Sequence, residues 1–319
     1  MPHVLTFSDD RHFGYLTTAI DQLRINLVAG RSIAIDFYAT YKVSPQAMLF
    51  LLAEVDRLVH LFGVPRFKTI TPRSPKVQEV FKQTGLYATL GVESDIQPKR
   101  EDVIHWVAMS GSRVKSEELA DGINRAAGGT LPSKTLSSLM KGIGEATSNC
   151  LSHAYIESRN DGLGHHPTTQ WWFLGQLRGN TLSVGVCDLG IGVPRSLSIE
   201  NDGQILTKII KSMRGLFSTK DHWDVKALCA AFEIGKTRTE RTNRGKGLAQ
   251  TLAALRELDD PLLIDSHVSF EILSNRASYS VLAAPGRINR PKIKTLRKSI
   301  RGTMLTWSFV IPSHSANHE

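Results

Sequence analysis

The chain has 319 residues, 41% of them apolar and 22% charged. It carries a net charge of +9, which favours nucleotides, nucleic acid or acidic protein surfaces as partners. That length allows two domains with separate cores. No apolar run reaches the roughly 20 residues of a membrane span, and Met1 to Asp10 lacks the basic-then-apolar order of a secretory signal. The three cysteines, Cys150, Cys187 and Cys229, share no Cys-x-x-Cys spacing, which argues against a disulfide framework or zinc site and for a reducing cytoplasm.

In chain order, Ser32 to Tyr38 (SIAIDFY) reads as a buried strand. Ser44-Pro45 supplies a cap and a first-turn proline for a helix over Pro45 to Phe62, with Met48, Leu51, Leu52, Val55, Leu58 and Val59 at helical spacing. Gly63-Val64-Pro65 stops it. A strand at Phe67 to Ile70 and a helix from Ser74-Pro75 to Gly85 follow. This order, with the ending VQEVFKQTGLYATLGV, resembles the STAS family of sulfate-transporter and anti-sigma-antagonist domains. The resemblance implies a small α/β domain over residues 1–97. Its regulatory members accept phosphate near the start of the first long helix; Ser44 is the nearest candidate here, and a plain helix cap is the simpler reading. Residues 98–128, polar and glycine-bearing, read as a linker holding a short helix or strand.

Residues 129–319 carry the chemical signals. A helix is expected over Ser133 to Glu157, a hairpin over Trp171 to Cys187 turning at Arg178-Gly179-Asn180, a helix from about Gly247, and closing strands at Val268 to Leu282 and Gly302 to Ile311. On the first helix Glu145, Asn149 and His153 recur every four residues and share one stripe. Polar groups on a buried stripe need partners. Mg²⁺ would supply one through Asn149, since it keeps most of its waters, and Glu145 one turn earlier could orient a water.

The stretch VGVCDLGIGVPRSL puts Asp188 at a strand end, followed by Gly190 and Gly192. A carboxylate there can accept the exocyclic amine of adenine, with glycines admitting close backbone approach. Taken alone, the same pattern fits a strand followed by a turn. In TNRGKGLAQTL, Gly245 and Gly247 precede an apolar helical segment whose N-terminus would hold an anion, with Arg244 and Lys246 adding charge. Gly302-Thr303 opens the final strand. Two decoys are set aside. Gly235-Lys236-Thr237 ends like a P-loop, but Ala230 stands where that motif needs glycine. The neighbours His165 and His166 read as loop residues rather than metal ligands.

Glu-x-x-x-Asn on a helix, Asp-x-Gly-x-Gly after a strand, Gly-x-Gly-Leu, then Gly-Thr before a last strand resembles the motif set of the GHKL superfamily over residues 130–312. GEATSNCLSHAY is most similar to the branch of anti-sigma-factor serine kinases and histidine kinases. The resemblance implies a Bergerat α/β sandwich: a mixed, mainly antiparallel sheet with helices on one face. It implies ATP and Mg²⁺ as ligands. Asn149 would hold the metal, with His153 one turn on; Glu145 would position the attacking water or hydroxyl. Asp188 would read adenine, with Gly190 and Gly192 beside the base and Thr303 supporting it. Gly245, Lys246, Gly247 and Leu248 would meet the phosphates. Ala249 replaces the glycine usual after that leucine. The roughly fifty residues between Gly192 and Gly245 would form a lid, basic at Lys236, Arg238, Arg241 and Arg244.

Three uses of ATP stay open: a regulatory serine/threonine kinase acting on a protein partner, an ATPase whose lid closure pairs two copies, and a non-catalytic ATP sensor. A histidine kinase is disfavoured, since His3, His12, His60 and His105 lie in no suitable acceptor helix. The basic stretch Arg287 to Arg301 reads either as a solvated loop or as a contact to nucleic-acid phosphates.

Overall fold

The computed structural model describes residues 1–129, 131–164, 169–201, 203–213, 215, 221–237, 248, 268–284 and 287–311. Near the start, β1 (Val4–Leu5) pairs in parallel with β3 (Lys42–Val43), and β2 (Ile33–Asp36) with β4 (Phe67–Ile70). Helix α1 (Asp10–Val28) begins where the Asp9 carboxylate accepts the N–H groups of Arg11 and His12. Helix α2 (Pro45–Phe62) has Ser44 as its cap and stops at Gly63, whose φ of +79° suits glycine. Helices α3 (Pro75–Gln83) and α4 (Leu86–Thr89) meet at a left-handed Gly85. β2, α2, β4 and α3 fall where the sequence reading put them, though β2 alternates between exposed and covered residues rather than being buried throughout. α1, the β1–β3 pair and α4 were not read from the sequence.

The expected linker is different. Residues 98–128 hold α5 (Glu101–Ile104), β5 (Val107–Gly111) and α6 (Ser116–Ala126), and β5 pairs antiparallel with β6 (Trp171–Arg178). Gly122, one of the glycines that suggested irregular chain, marks close packing instead, as does Gly175 on β6. A Cβ on Gly122 would lie 2.4 Å from the Met109 sulfur, and one on Gly175 would lie 2.6 Å from the Ala126 Cβ. Glycine at those two positions lets α6 rest directly on the sheet.

Helix α7 (Ser133–Asn149) also corrects an expectation. It does not run on to Glu157 but passes at Cys150 into a π turn ending at Ala154. β6 and β7 (Thr181–Asp188) form the expected hairpin, closed by Gly179-Asn180 with Arg178 opposite Thr181. Then come α8 (Val193–Glu200), α9 (Gly203–Ser212) and α10 (Trp223–Thr237). The stretch Val268 to Leu282 folds as a second hairpin, β8 (Val268–Ser274) and β9 (Ala277–Ala284). The basic stretch is part sheet edge and part loop: β10 (Arg287–Ile288) and β11 (Lys292–Thr295) both pair with β9, while Arg290, Arg297 and Lys298 lie outside the strands. Strand β12 (Thr303–Val310) closes the sheet.

The result is an eight-stranded sheet in the order β10-β9-β8-β12-β7-β6-β5, with β11 also on β9 and every pairing antiparallel. Both of its faces are covered, contrary to the one-sided layer expected. Leu182, Val184 and Val186, with Leu305, Trp307 and Phe309, pack beneath α6, α7 and α10. Trp172, Leu174, Cys187 and Met304 point the other way and join a core with Leu49 and Phe50 of α2. Alternation of side chains along a strand puts apolar residues on both faces.

A buried ionic cluster ties the first part of the chain to the second. Arg57 donates to Asp161 at 2.5 Å, Arg159 pairs with Glu54, and Arg24 bridges Asp21 at 2.6 Å and Asp161 at 3.5 Å. Burial alone would raise the Asp161 carboxyl, but the Arg57 hydrogen bond and the Arg159 charge hold it at about 2. The same contest leaves Glu54 below its ordinary value through Arg159 and Arg24. Asp56 accepts from Trp172 at 2.9 Å and Gln170 at 3.1 Å, a further link from α2 to the sheet. No helix among the described residues is long and apolar enough to cross a membrane. All three cysteines are buried free thiols.

Candidate functional site

A cleft of about 850 Å³, solvent at its mouth included, lies between the sheet and the layer of α7, α8 and α10. That is within the usual range for small-molecule sites. Its floor is where three strands meet in register: Asp188 ends β7, Thr303 opens β12 opposite it, and Ser274 lies opposite Thr303 on β8. Asp188 Oδ1 accepts the N–H of Gly190 at 2.9 Å and of Thr303 at 3.3 Å. Burial nevertheless raises its carboxyl from 3.8 to about 6, with the backbone hydrogen bonds pulling the other way. At neutral pH the group is an anion held in an apolar recess, bordered by Ala146, Ile272 and Leu305.

The turn after Asp188 is fixed by two glycines and two residues that the sequence reading overlooked. A Cβ on Gly190 would come within 2.1 Å of the Ala154 carbonyl oxygen, which accepts the Ile191 N–H at 2.8 Å. Gly190 therefore serves the approach of this turn to the π segment and is not itself in the cleft wall. Gly192 is in the wall, at φ +80°, where a Cβ would strike the Asn275 side chain. Asn275 donates to the Ile191 carbonyl at 2.9 Å, and Ser274 Oγ accepts the Val193 N–H at 2.9 Å. Ser274 also bonds Thr303 Oγ1 at 3.0 Å. The Ser-Asn pair at the β8–β9 turn was the available signal for both.

On the other side, Asn149 ends α7 and borders the cleft, as does His153 in the π turn. The widened turn between them breaks the uniform four-residue stripe expected from sequence. Glu145 lies half-buried one turn back, outside the residues lining the cleft. Helix α8 supplies wall residues that the sequence reading did not single out: Val193, Ser196, Leu197 and Glu200. The His153 Nδ1 and a Glu200 oxygen are 2.6 Å apart.

Leu248 contributes to the wall. Lys236 falls in the last turn of α10, so Gly235-Lys236-Thr237 is helical and not a phosphate loop. Arg238, Arg241, Arg244, Gly245, Lys246 and Gly247, and the paired His165 and His166, lie outside the described residues. Among the described residues no group of three His, Cys, Asp or Glu could hold a metal ion. A magnesium ion carried by a nucleotide needs fewer protein ligands, and the Asn149 amide oxygen suits that role.

The cleft thus offers a buried anionic acceptor at one end, apolar walls, and amide, imidazole and carboxylate groups at the other. No family model matches the chain, and no curated protein matches it in sequence.

Proposed function

We propose that the cleft binds Mg-ATP in the manner of the GHKL superfamily, and that the protein is a regulatory serine/threonine kinase or switch of the anti-sigma-kinase type. One observation carries this: Asn149, Asp188, Gly192 and Thr303, drawn from separate motifs far apart in sequence, border one cleft. Adenine, apolar on its faces and polar at its edge, suits a recess with a single buried carboxylate. Asp188 would accept its exocyclic amine, supported by Thr303. The phosphates would lie toward Asn149, which holds the metal; bound Mg²⁺ would offset their charge.

In this reading residues 1–97 are a STAS-like regulatory unit, and the exposed Arg290, Lys292, Arg297 and Lys298 offer a basic edge to an acidic partner. The position of Glu145 outside the cleft wall favours a second reading, in which ATP acts as a conformational ligand rather than being turned over.

Calorimetry on the full chain with Mg-ATP should give binding at one site, lost in Asp188→Asn. Incubation with γ-labelled ATP then separates the uses. Label on a partner protein supports the kinase. Free phosphate that disappears in Glu145→Ala supports an ATPase. Binding with neither supports the sensor. A folded sample with no heat of Mg-ATP binding overturns the proposal.

A further inference from the structure

Two ion pairs brace α8 against the chain that follows α7. Near the start of α8, Arg195 holds the Glu157 carboxylate through Nε at 3.1 Å and Nη2 at 2.5 Å. At its end, Glu200 meets His153 at 2.6 Å. The two braces are alike in exposure, with side chains 41% and 43% exposed in the first and 43% and 39% in the second. They differ in position: His153 and Glu200 line the cleft, and Arg195 and Glu157 do not.

The cleft is polarised along its length. Asp188 and Thr303 are buried at its floor, while Asn149, His153, Glu200 and Asn201 gather at the solvent side. A nucleotide whose base rests at the floor must leave its phosphates where water remains, since burying unpaired charge is costly. The phosphates then arrive where a carboxylate already accepts the imidazole N–H. That short charge-assisted contact is what a phosphate oxygen would make with the same ring.

We infer that Glu200 stands in for a phosphate, its carboxylate occupying the His153 position until a nucleoside triphosphate displaces it. The inference rests on the Mg-ATP reading of the same cleft and adds a determinant of selectivity to it. Glu200 and the phosphate chain carry like charge and compete for one donor, so the residue opposes ligands in proportion to their phosphate charge. Adenosine, which would reach only the floor, is indifferent to it. The pair makes the cleft a reader of phosphate as well as of base.

The test measures Mg-ATP and adenosine affinities by calorimetry on the full chain for the parent protein, Glu200→Gln and Glu157→Gln. Glu200→Gln keeps the size and a hydrogen-bond acceptor while removing the charge. It should tighten Mg-ATP about fivefold, the worth of about 1 kcal/mol, and leave adenosine within about twofold. Glu157→Gln loosens the other brace of the same helix and should change neither. Three outcomes overturn the inference: equal tightening of adenosine, which would mean a steric cap; an equal effect from Glu157→Gln, which would mean loosening of α8; or weaker Mg-ATP binding in Glu200→Gln, which would make the carboxylate a metal ligand. Failure of the parent protein to bind either ligand removes the Mg-ATP reading itself. Thermal melts establish that each variant is folded.

Discussion

Asp188 carries its charge at a cost to stability. Between its ordinary value of 3.8 and its folded value of about 6, the native protein holds a proton that the unfolded chain has released. Stability therefore falls as pH rises through that window, and the penalty persists at neutral pH. Asp188→Asn should stabilise the protein at pH 7 by roughly 1–3 kcal/mol, because the amide oxygen can still accept the Gly190 and Thr303 N–H groups. It should add little at pH 4, and it should abolish Mg-ATP binding. Denaturant melts at the two pH values check the first part, and a loss of stability at pH 7 would contradict it. Gly190 gives the opposite kind of case. A methyl group there would strike the Ala154 carbonyl oxygen at 2.1 Å and the Ala154 Cβ at 2.5 Å, neither of which can swing aside. Gly190→Ala should cost about 2–3 kcal/mol and weaken nucleotide binding together, since the turn bearing Asp188 cannot move alone.

At the scale of elements, the sequence was most legible where local chemistry decides. Ser44-Pro45 and Gly63 bounded α2, and Gly179-Asn180 set the β6–β7 register, because caps and two-residue turns depend only on neighbouring residues. It was least legible where glycine serves tertiary packing. Gly111 and Gly122 read as chain breaks, and only the proximity of Met109 explains the second. The π turn after Asn149 was hidden for a similar reason. Its sequence, CLSHA, continues a helical pattern, and the contact that distinguishes it, from Ile191 to Ala154, comes from a distant turn. Of the site, Asn149, His153, Asp188, Gly192, Leu248 and Thr303 could be found from motifs. Glu200 could not, since nothing near it in sequence announces that the end of α8 returns to the π turn. The bond between α2 and the segment after that turn is testable at this scale. Glu54 is fully buried against Arg159, and its removal leaves that guanidinium in the core with only the longer ion pair to Asp161, at 3.4 Å, among the described residues. Glu54→Ala should cost about 3–5 kcal/mol, and replacing Glu54 and Arg159 together by Met should recover much of it. A denaturant double-mutant cycle measures the coupling. Additive losses would show that the pair is not the source.

For the whole molecule, the expected division at residues 97 and 129 does not describe how the core is built. The face of the sheet formed by Trp172, Leu174, Cys187 and Met304 shares one core with the first part of the chain, to which Val103, Trp106, Leu296 and Ile300 also contribute. The strand β5, from the expected linker, is the edge next to β6. The ionic cluster carries the same message in charge: Asp161 and Arg159 on one side depend on Arg24, Arg57 and Glu54 on the other. Because Asp161 is held at about 2, it adds stability above its ordinary value of 3.8 that is lost as pH falls toward 2. A chain shortened to residues 98–319 would expose a wide apolar face and leave Asp161 and Arg159 with only each other as ionic partners among the described residues. It should fail to give a cooperative melt and should associate through the bared sheet, as large exposed apolar patches do. Sedimentation and thermal unfolding of the shortened and full chains compare the two. A soluble monomeric fragment that melts cooperatively would mean that α2 merely rests on a sheet already complete. Failure to fold would mean that any signal received by residues 1–97 reaches the cleft through a core they share with it.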